Sequence, residues 1–216
     1  MKLIDSFGPN PRVVRMCLAE KGLNLPSEQI DLLGGENRQS AYLARNPGGQ
    51  LPALELDDGT VIAETAVICE YLEEIHPTPA LVGATAAERA VSRTWQRRVE
   101  LNITEHVYNG FRYAEGIELF KNRLYCIPEA APGLKAKAQD WLTKLDGLIA
   151  GREFICGNAI RFADITLYCC LDFAKDMNQP LNPALTNLNA WFKRMDARPS
   201  AQSSLHPAWE QIKMRG

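Results

Sequence analysis

The chain has 216 residues, 46% of them hydrophobic and 23% charged, proportions that fit a folded globular protein and exclude an extended disordered chain. A formal net charge of −2 gives no global basic field to draw it to nucleic acid or anionic lipid. No run approaches the roughly 20 apolar residues that a spanning helix needs. In chain order, residues 2–5 read as a strand and 11–21 as a helix with Val14, Cys17 and Leu18 inward. Residues 28–32 read as a second strand and 39–44 as a short helix. Asn46-Pro47-Gly48-Gly49 is a turn, because proline fixes φ and glycine permits positive φ. Leu51-Pro52 opens a strand at 53–56, Asp57-Asp58-Gly59 is a hairpin turn, and the strand returns at 60–63. Glu64-Thr65 then caps a helix whose inner face is predicted to carry Val67, Ile68, Tyr71, Leu72 and Ile75.

After His76-Pro77-Thr78-Pro79 and a linker at 81–83 the character changes, and no convincing strand follows. The spacing predicts a long helix over 88–112, with Ala90, Trp95, Val99, Ile103 and Val107 on its core face. A second helix over 133–150 carries Ala138, Trp141, Leu142, Leu145, Leu148 and Ile149. Residues 163–175 are nearly apolar throughout and should form a buried central helix. Leu188, Trp191, Phe192 and Met195 mark another, stopped by Arg198-Pro199-Ser200. The fold class is therefore an α/β N-terminal domain over 1–79 followed by an all-α domain over 86–216. The N-terminal run reads as strand and turn rather than a targeting segment. Six cysteines without a CxxC pair fit a reducing cytoplasm, and neither they nor His76, His106 and His206 have metal-ligand spacing.

Two features of residues 46–72 point to a ligand. A strand opened by proline leaves neighbouring backbone groups unpaired, and the helix start after Glu64-Thr65 offers free N–H groups and a positive dipole end suited to a carboxylate. Together they describe a pocket for a peptide-like ligand. This arrangement resembles the glutathione-binding half of the cytosolic glutathione transferases, including bacterial members, and the order of elements resembles the thioredoxin-like fold. The Gly157–Ile165 stretch is similar to that family's buried-helix capping motif, with Asp164 as the capping aspartate and Arg161 where a serine or threonine usually stands. The Trp191–Ser200 ending is similar as well.

The resemblance implies that Leu51, before a cis Pro52, pairs with the backbone of glutathione, and that Glu64 and Thr65 take its γ-glutamyl end. Gln50 occupies the position that reaches the glycyl carboxylate, with Gln39, Asn37 and Arg38 nearby. A glutathione thiol is only a few per cent ionised at pH 7, so the thiolate needs a donor and a positive field. The turn Ser6–Arg15 holds that donor in the family. It contains no tyrosine or cysteine, and Gly8 stands where serine-type members have serine. Asn10, read as the N-cap ahead of Pro11, is the chosen donor, with Ser6 the alternative. Arg12 and Arg15 read as solvated helix charges. Tyr108, Phe111 and Arg112, with His106 near them, are candidates for the second-substrate pocket. The resemblance further implies detoxifying conjugation of a small electrophile, glutathione as co-substrate with no other cofactor or metal, and a homodimer. A glutathione-dependent disulfide reductase and a non-catalytic binding module are the other readings of the same fold.

Overall fold

The computed structural model describes residues 1–215, which divide into two compact units. The first comprises Met1–Val82 together with the segment from Pro199 onward, and the second comprises Gly83–Arg198. The C-terminal segment thus clusters with the α/β unit rather than with the helices that precede it. Among the described residues, no helix is long and apolar enough to cross a membrane.

The first unit is thioredoxin-like. Strands β1 (Lys2–Asp5), β2 (Ser27–Gln29), β3 (Ala53–Glu55) and β4 (Val61–Ala63) form one sheet in the order β2-β1-β3-β4. The β1–β2 pair is parallel and the other two pairs are antiparallel. Helices α1 (Pro9–Glu20), α2 (Ser40–Arg45) and α3 (Thr65–Ile75) complete it. Ile4, Leu54, Val14, Ile68 and Leu72 are fully buried and fill the space between sheet and helices. Strand β2 ends earlier than the predicted 28–32, and its neighbour Ile30 is still tied to β1 by a bond from its N–H to the Asp5 carbonyl at 3.0 Å. Two residues assigned to the inner face of α3 point outward: Val67 is 52% exposed and Ile75 40%. The buried face is Ile68, Cys69, Leu72 and Glu73, a narrower stripe than the apolar spacing suggested. Glu73 is buried because Lys21 of the α1 end joins it. Lys21 Nζ also donates to the carbonyls of His76 and Pro79, while Glu73 accepts from the N–H groups of Leu81 and Val82. This pair fastens the exit of the unit to α1.

The second unit is all helical. The predicted 88–112 helix is α4 (Ala86–Val99), a π-turn at Glu100–Thr104 and α5 (Glu105–Arg112) in succession. Thr85 opens α4 with a capping box to Glu88. Trp95, Val99, Ile103 and Val107 are buried as expected, but Ala90 is exposed. Helix α6 (Ile117–Phe120) is short, and α7 (Ala131–Leu148) packs Ala138, Leu142 and Leu145 inward while Leu148 is 48% exposed. Helix α8 (Phe162–Asp176) is buried from Phe162 to Ala174, so the apolar run does mark the central helix. Helix α9 (Thr186–Asp196) packs Leu188, Trp191 and Met195 against the core.

The start of α8 depends on Asp164, which is completely buried. Its Oδ2 accepts from Arg161 N, and its Oδ1 accepts from Ile155 N and from Trp191 Nε1, at 2.8 to 2.9 Å. Arg161 cannot return the bond as serine or threonine would, because a guanidinium has no acceptor. The Asp164 N–H donates instead to the Arg161 carbonyl at 3.0 Å, while Trp191 and Ile155 add donors to the Asp164 carboxylate. Burial raises the Asp164 carboxyl to about 6 despite these three donors.

Candidate functional site

The register of the sheet brings three connections to one end of the first unit. Ile4 lies opposite Ala53, and Ala53 lies opposite Ala63. The residues that follow β1, precede β3 and follow β4 therefore leave the sheet together: the Ser6–Asn10 turn, Leu51-Pro52, and Glu64-Thr65.

The Leu51-Pro52 bond is cis. Neither the N–H nor the C=O of Leu51 has a hydrogen-bond partner among the described residues, so its backbone edge is open. Pro52 and Ala53 are buried beneath it. The preceding turn is fastened from the other side, where the Gln50 carbonyl accepts from Tyr42 Oη at 2.7 Å and Asn46 Nδ2 at 2.9 Å. Asn37 Nδ2 donates to the Gly49 carbonyl at 2.6 Å, so Asn37 is buried as a support of the turn rather than presented to a ligand. Gly49 has φ +61°, and a Cβ there would lie 3.0 Å from the Leu43 side chain and 3.1 Å from the Asn37 carbonyl. Only glycine fits. The side chains of Gln39 and Gln50 are exposed and make no hydrogen bond among the described residues.

Glu64 is the N-cap residue of α3, with φ +71° and ψ +124°, a conformation that a non-glycine residue adopts only under constraint. Its side chain is exposed and does not cap the helix. The first intrahelical bond runs from Ile68 N to the Glu64 carbonyl at 2.9 Å. The N–H groups of Thr65, Ala66 and Val67 are consequently left open beside a free carboxylate and a free hydroxyl, an arrangement able to bind a group carrying both an ammonium and a carboxylate.

At α1 the register differs from the sequence reading. The N-cap is Gly8, at φ +120° and ψ +164°, and Pro9 and Pro11 both lie in the first turn. Asn10 is therefore inside the helix and not its cap. Because neither proline carries an N–H, and Arg12 N already bonds the Gly8 carbonyl at 3.2 Å, Asn10 supplies the open backbone N–H of this turn. Its half-buried carboxamide has no hydrogen-bond partner among the described residues. Ser6 is different. It is 2% exposed, and its hydroxyl donates to the Ile30 carbonyl at 3.0 Å, so its single proton is committed to joining β1 to β2.

Arg12 and Arg15 are not solvated charges. Arg12 is fully buried, and Arg15 Nη1 donates to Asp5 Oδ1 at 2.7 Å and to the Ser6 carbonyl at 2.9 Å. Sequence spacing could not reveal this, because the segment that covers them begins at Pro199.

Of the residues assigned to a second-substrate pocket, Tyr108 is 6% exposed and faces the interior of the helical unit. Its ring meets Phe173 edge-on at 5.9 Å, and burial raises its hydroxyl pKa well above the ordinary value. Phe111 is half-buried between Phe173 and Phe120, at 5.1 and 6.1 Å. Arg112 lies 5.9 Å from the Tyr108 ring and 5.8 Å from the Phe120 ring, held by a bond to Asn109. His106 is partly buried, which lowers its pKa.

Comparison with known proteins accounts for both units. The family model for the glutathione S-transferase N-terminal domain matches residues 7–75, and that for the C-terminal domain matches residues 128–199. The chain is 34% identical over 205 residues to glutathione S-transferase 2 of Saccharomyces cerevisiae, covering 92% of this chain and 86% of that one. The crystal structure of Gtt2 from S. cerevisiae superposes with a TM-score of 0.87 at 33% identity, covering 95% of this chain and all (100%) of that one. A glutathione S-transferase domain-containing protein of Marinobacter aquaeolei VT8 gives 0.86 at 36% identity, covering 93% and 99%. Over 82 residues, 37% of this chain and 39% of the relative, identity to maleylacetoacetate isomerase of Pseudomonas aeruginosa reaches 48%. The chain belongs to the glutathione S-transferase family.

Proposed function

We propose that the chain is a glutathione transferase that stabilises the glutathione thiolate for attack on a small hydrophobic electrophile. The observation that carries the proposal is the open backbone edge of Leu51 at the same end of the sheet as the uncapped start of α3. In this reading Leu51 pairs with the cysteinyl backbone above Pro52. Glu64 binds the γ-glutamyl ammonium, and Thr65 with the first α3 N–H groups binds its carboxylate. Gln50 and Gln39 reach the glycyl carboxylate with side chains that have no other partner. The sulfur lies at the α1 turn, where Asn10 offers two donors. An amide cannot act as a base near pH 7, so Asn10 lowers the thiol pKa by hydrogen bonding while the proton leaves to solvent.

Phe111 and Arg112 are proposed to receive the electrophile, with Tyr108 supporting them from the core. The chain is also proposed to act as a cytoplasmic homodimer, for which the exposed Val67 on α3 and Val91 and Leu101 on the long helix offer apolar surface. Calorimetric titration with glutathione, followed by conjugation of a chlorinated nitroaromatic, tests the reading. Intact glutathione binding without turnover on any electrophile would remove the transferase step and leave a binding module. A second reading follows from the 48% identity of an 82-residue stretch to an isomerase. Glutathione would then add to an unsaturated substrate, permit bond rotation and leave again. Turnover of a cis-enone with glutathione regenerated rather than consumed would favour it. The disulfide-reductase reading lacks a cysteine in the turn for a mixed disulfide, and the rate on hydroxyethyl disulfide measures it directly.

A further inference from the structure

The segment from Pro199 onward lies along α1, from the helix's last residue back past its first. Ser200 Oγ donates to Glu20 at the C-terminal end of α1. One to two turns earlier, Arg15 Nε donates to the Ser204 carbonyl at 2.8 Å, and Arg12 Nη2 to the Ala201 carbonyl at 3.0 Å. Arg12 Nη1 also donates to the Arg215 carbonyl at 2.6 Å. Ahead of the helix, the His206 ring stands edge-on to Phe7 with centroids 6.4 Å apart. Ala201 and Ser204 are completely buried, so this is a packed contact.

The same segment reaches the turn from its other side. His206 Nε2 lies 3.1 Å from Gln29 Oε1, and Gln29 Nε2 donates to Asp5 Oδ2. Asp5 Oδ1 accepts from Ser6 N and from Arg15, and Arg15 in turn holds the Ser6 carbonyl. The turn Ser6–Asn10 is therefore gripped at its start through Asp5 and Ser6, at its middle through Phe7, and at its helical end through Arg12. All three grips converge on residues 201–215.

We infer that this C-terminal segment is a strap that positions the α1 turn, with His206 as a positioning residue whose ring fixes Phe7 and, through it, Asn10. The inference rests on the reading of Asn10 as the thiolate donor. A hydrogen bond to a thiolate weakens steeply once its donor moves by a fraction of an ångström, so a loosened turn raises the thiol pKa without disturbing the Leu51 and Glu64 contacts, which belong to other connections.

The test uses full-length His206→Ala and His206→Phe. In ligand-free protein, amide exchange over residues 6–10 should become about tenfold faster in His206→Ala, while the central sheet remains protected. With glutathione bound, the thiol pKa read from thiolate ultraviolet absorbance should rise by about half a unit or more, whereas the affinity for S-methylglutathione stays within about twofold. His206→Phe keeps a ring against Phe7 and gives up the Gln29 contact, and because Arg15 still holds Asp5 and the Ser6 carbonyl it should recover both values. Unchanged exchange in the turn overturns the strap whatever the ligand. Faster exchange with an unshifted thiol pKa overturns its link to the sulfur. A failure of His206→Phe to recover either value overturns the role of the ring. If wild-type protein does not bind glutathione, the functional reading fails before any variant is compared, and the exchange arm still decides whether the segment holds the turn.

Discussion

Replacing Asp164 by alanine tests how the helical unit is held, and the structure gives both a size and an unusual pH dependence. The substitution leaves three donors without an acceptor: the buried Ile155 N and Trp191 Nε1, and the partly buried Arg161 N. Each orphaned donor costs about 1–3 kcal/mol, so about 5 kcal/mol is expected where the wild-type carboxyl is protonated. The folded pKa is raised to about 6 from an ordinary 3.8, a shift that corresponds to about 3 kcal/mol. Because the folded value lies above the unfolded one, that stabilisation is complete below the unfolded pKa and is lost as pH rises through the folded one. About half of it remains at pH 5 and almost none at pH 7.5. Asp164→Ala should therefore cost about 1–2 kcal/mol more at pH 5 than at pH 7.5, the reverse of the usual behaviour of a stabilising carboxylate. Urea unfolding followed by tryptophan fluorescence at the two pH values measures this, with comparison to wild type cancelling the titration of other groups. A cost that is equal at both, or larger at pH 7.5, would refute the assignment of a raised pKa. A cost below about 1 kcal/mol at pH 5 would refute the role of the three bonds.

Three further substitutions separate the candidate roles. Asn10→Ala should raise the bound thiol pKa by about 1–2 units and lower kcat/KM at neutral pH by about 10–100-fold, with stability within about 0.5 kcal/mol of wild type because the carboxamide has no partner to lose. An unchanged thiol pKa in a glutathione-bound complex would transfer the role elsewhere. Ser6→Ala should behave oppositely: loss of about 1 kcal/mol of stability from the orphaned Ile30 carbonyl, and no change in thiol pKa. Glu64→Gln should weaken glutathione binding by about tenfold in calorimetry at constant melting temperature, whereas Glu64→Gly should also relieve the positive φ and stabilise the free protein by about 1 kcal/mol. Equal affinity in wild type and Glu64→Gln would exclude the carboxylate from the ligand.

Fold and domain order were legible because each element announced itself locally. Apolar spacing defines α7, α8 and α9, and Asp58-Gly59 between two short β-rich runs defines the β3–β4 hairpin. The errors fall where local pattern and tertiary cover part company. Val67 and Ile75 have the spacing of a core face yet are exposed, while Glu73, a charged residue outside that apolar pattern, is buried because Lys21 at the end of α1 joins it. The π-turn in the long helix left no trace in residue type.

The site divides along the same line. Leu51-Pro52 and Glu64-Thr65 were readable because proline chemistry and helix starts are properties of short segments. The register of α1 differs for an equally local reason: Asn10-Pro11 fits an N-cap residue followed by proline, but Gly8-Pro9 fits the same pattern two residues sooner, with glycine as the permitted cap. Glycine prevails because the chain leaving β1 must pass through φ +120°, which asparagine would adopt only under strain. That shift strengthens the case for Asn10. As the cap it would have spent its side-chain oxygen on the helix and turned its amide with it. Inside a first turn flanked by two prolines, it keeps both the side-chain amide and the backbone N–H for a ligand. What no local rule could supply is the support: Arg12 and Arg15 look like surface charges until residues 201–215 return to cover them, so the segment proposed to hold the α1 turn lies at the opposite end of the sequence from the residue proposed to contact the sulfur.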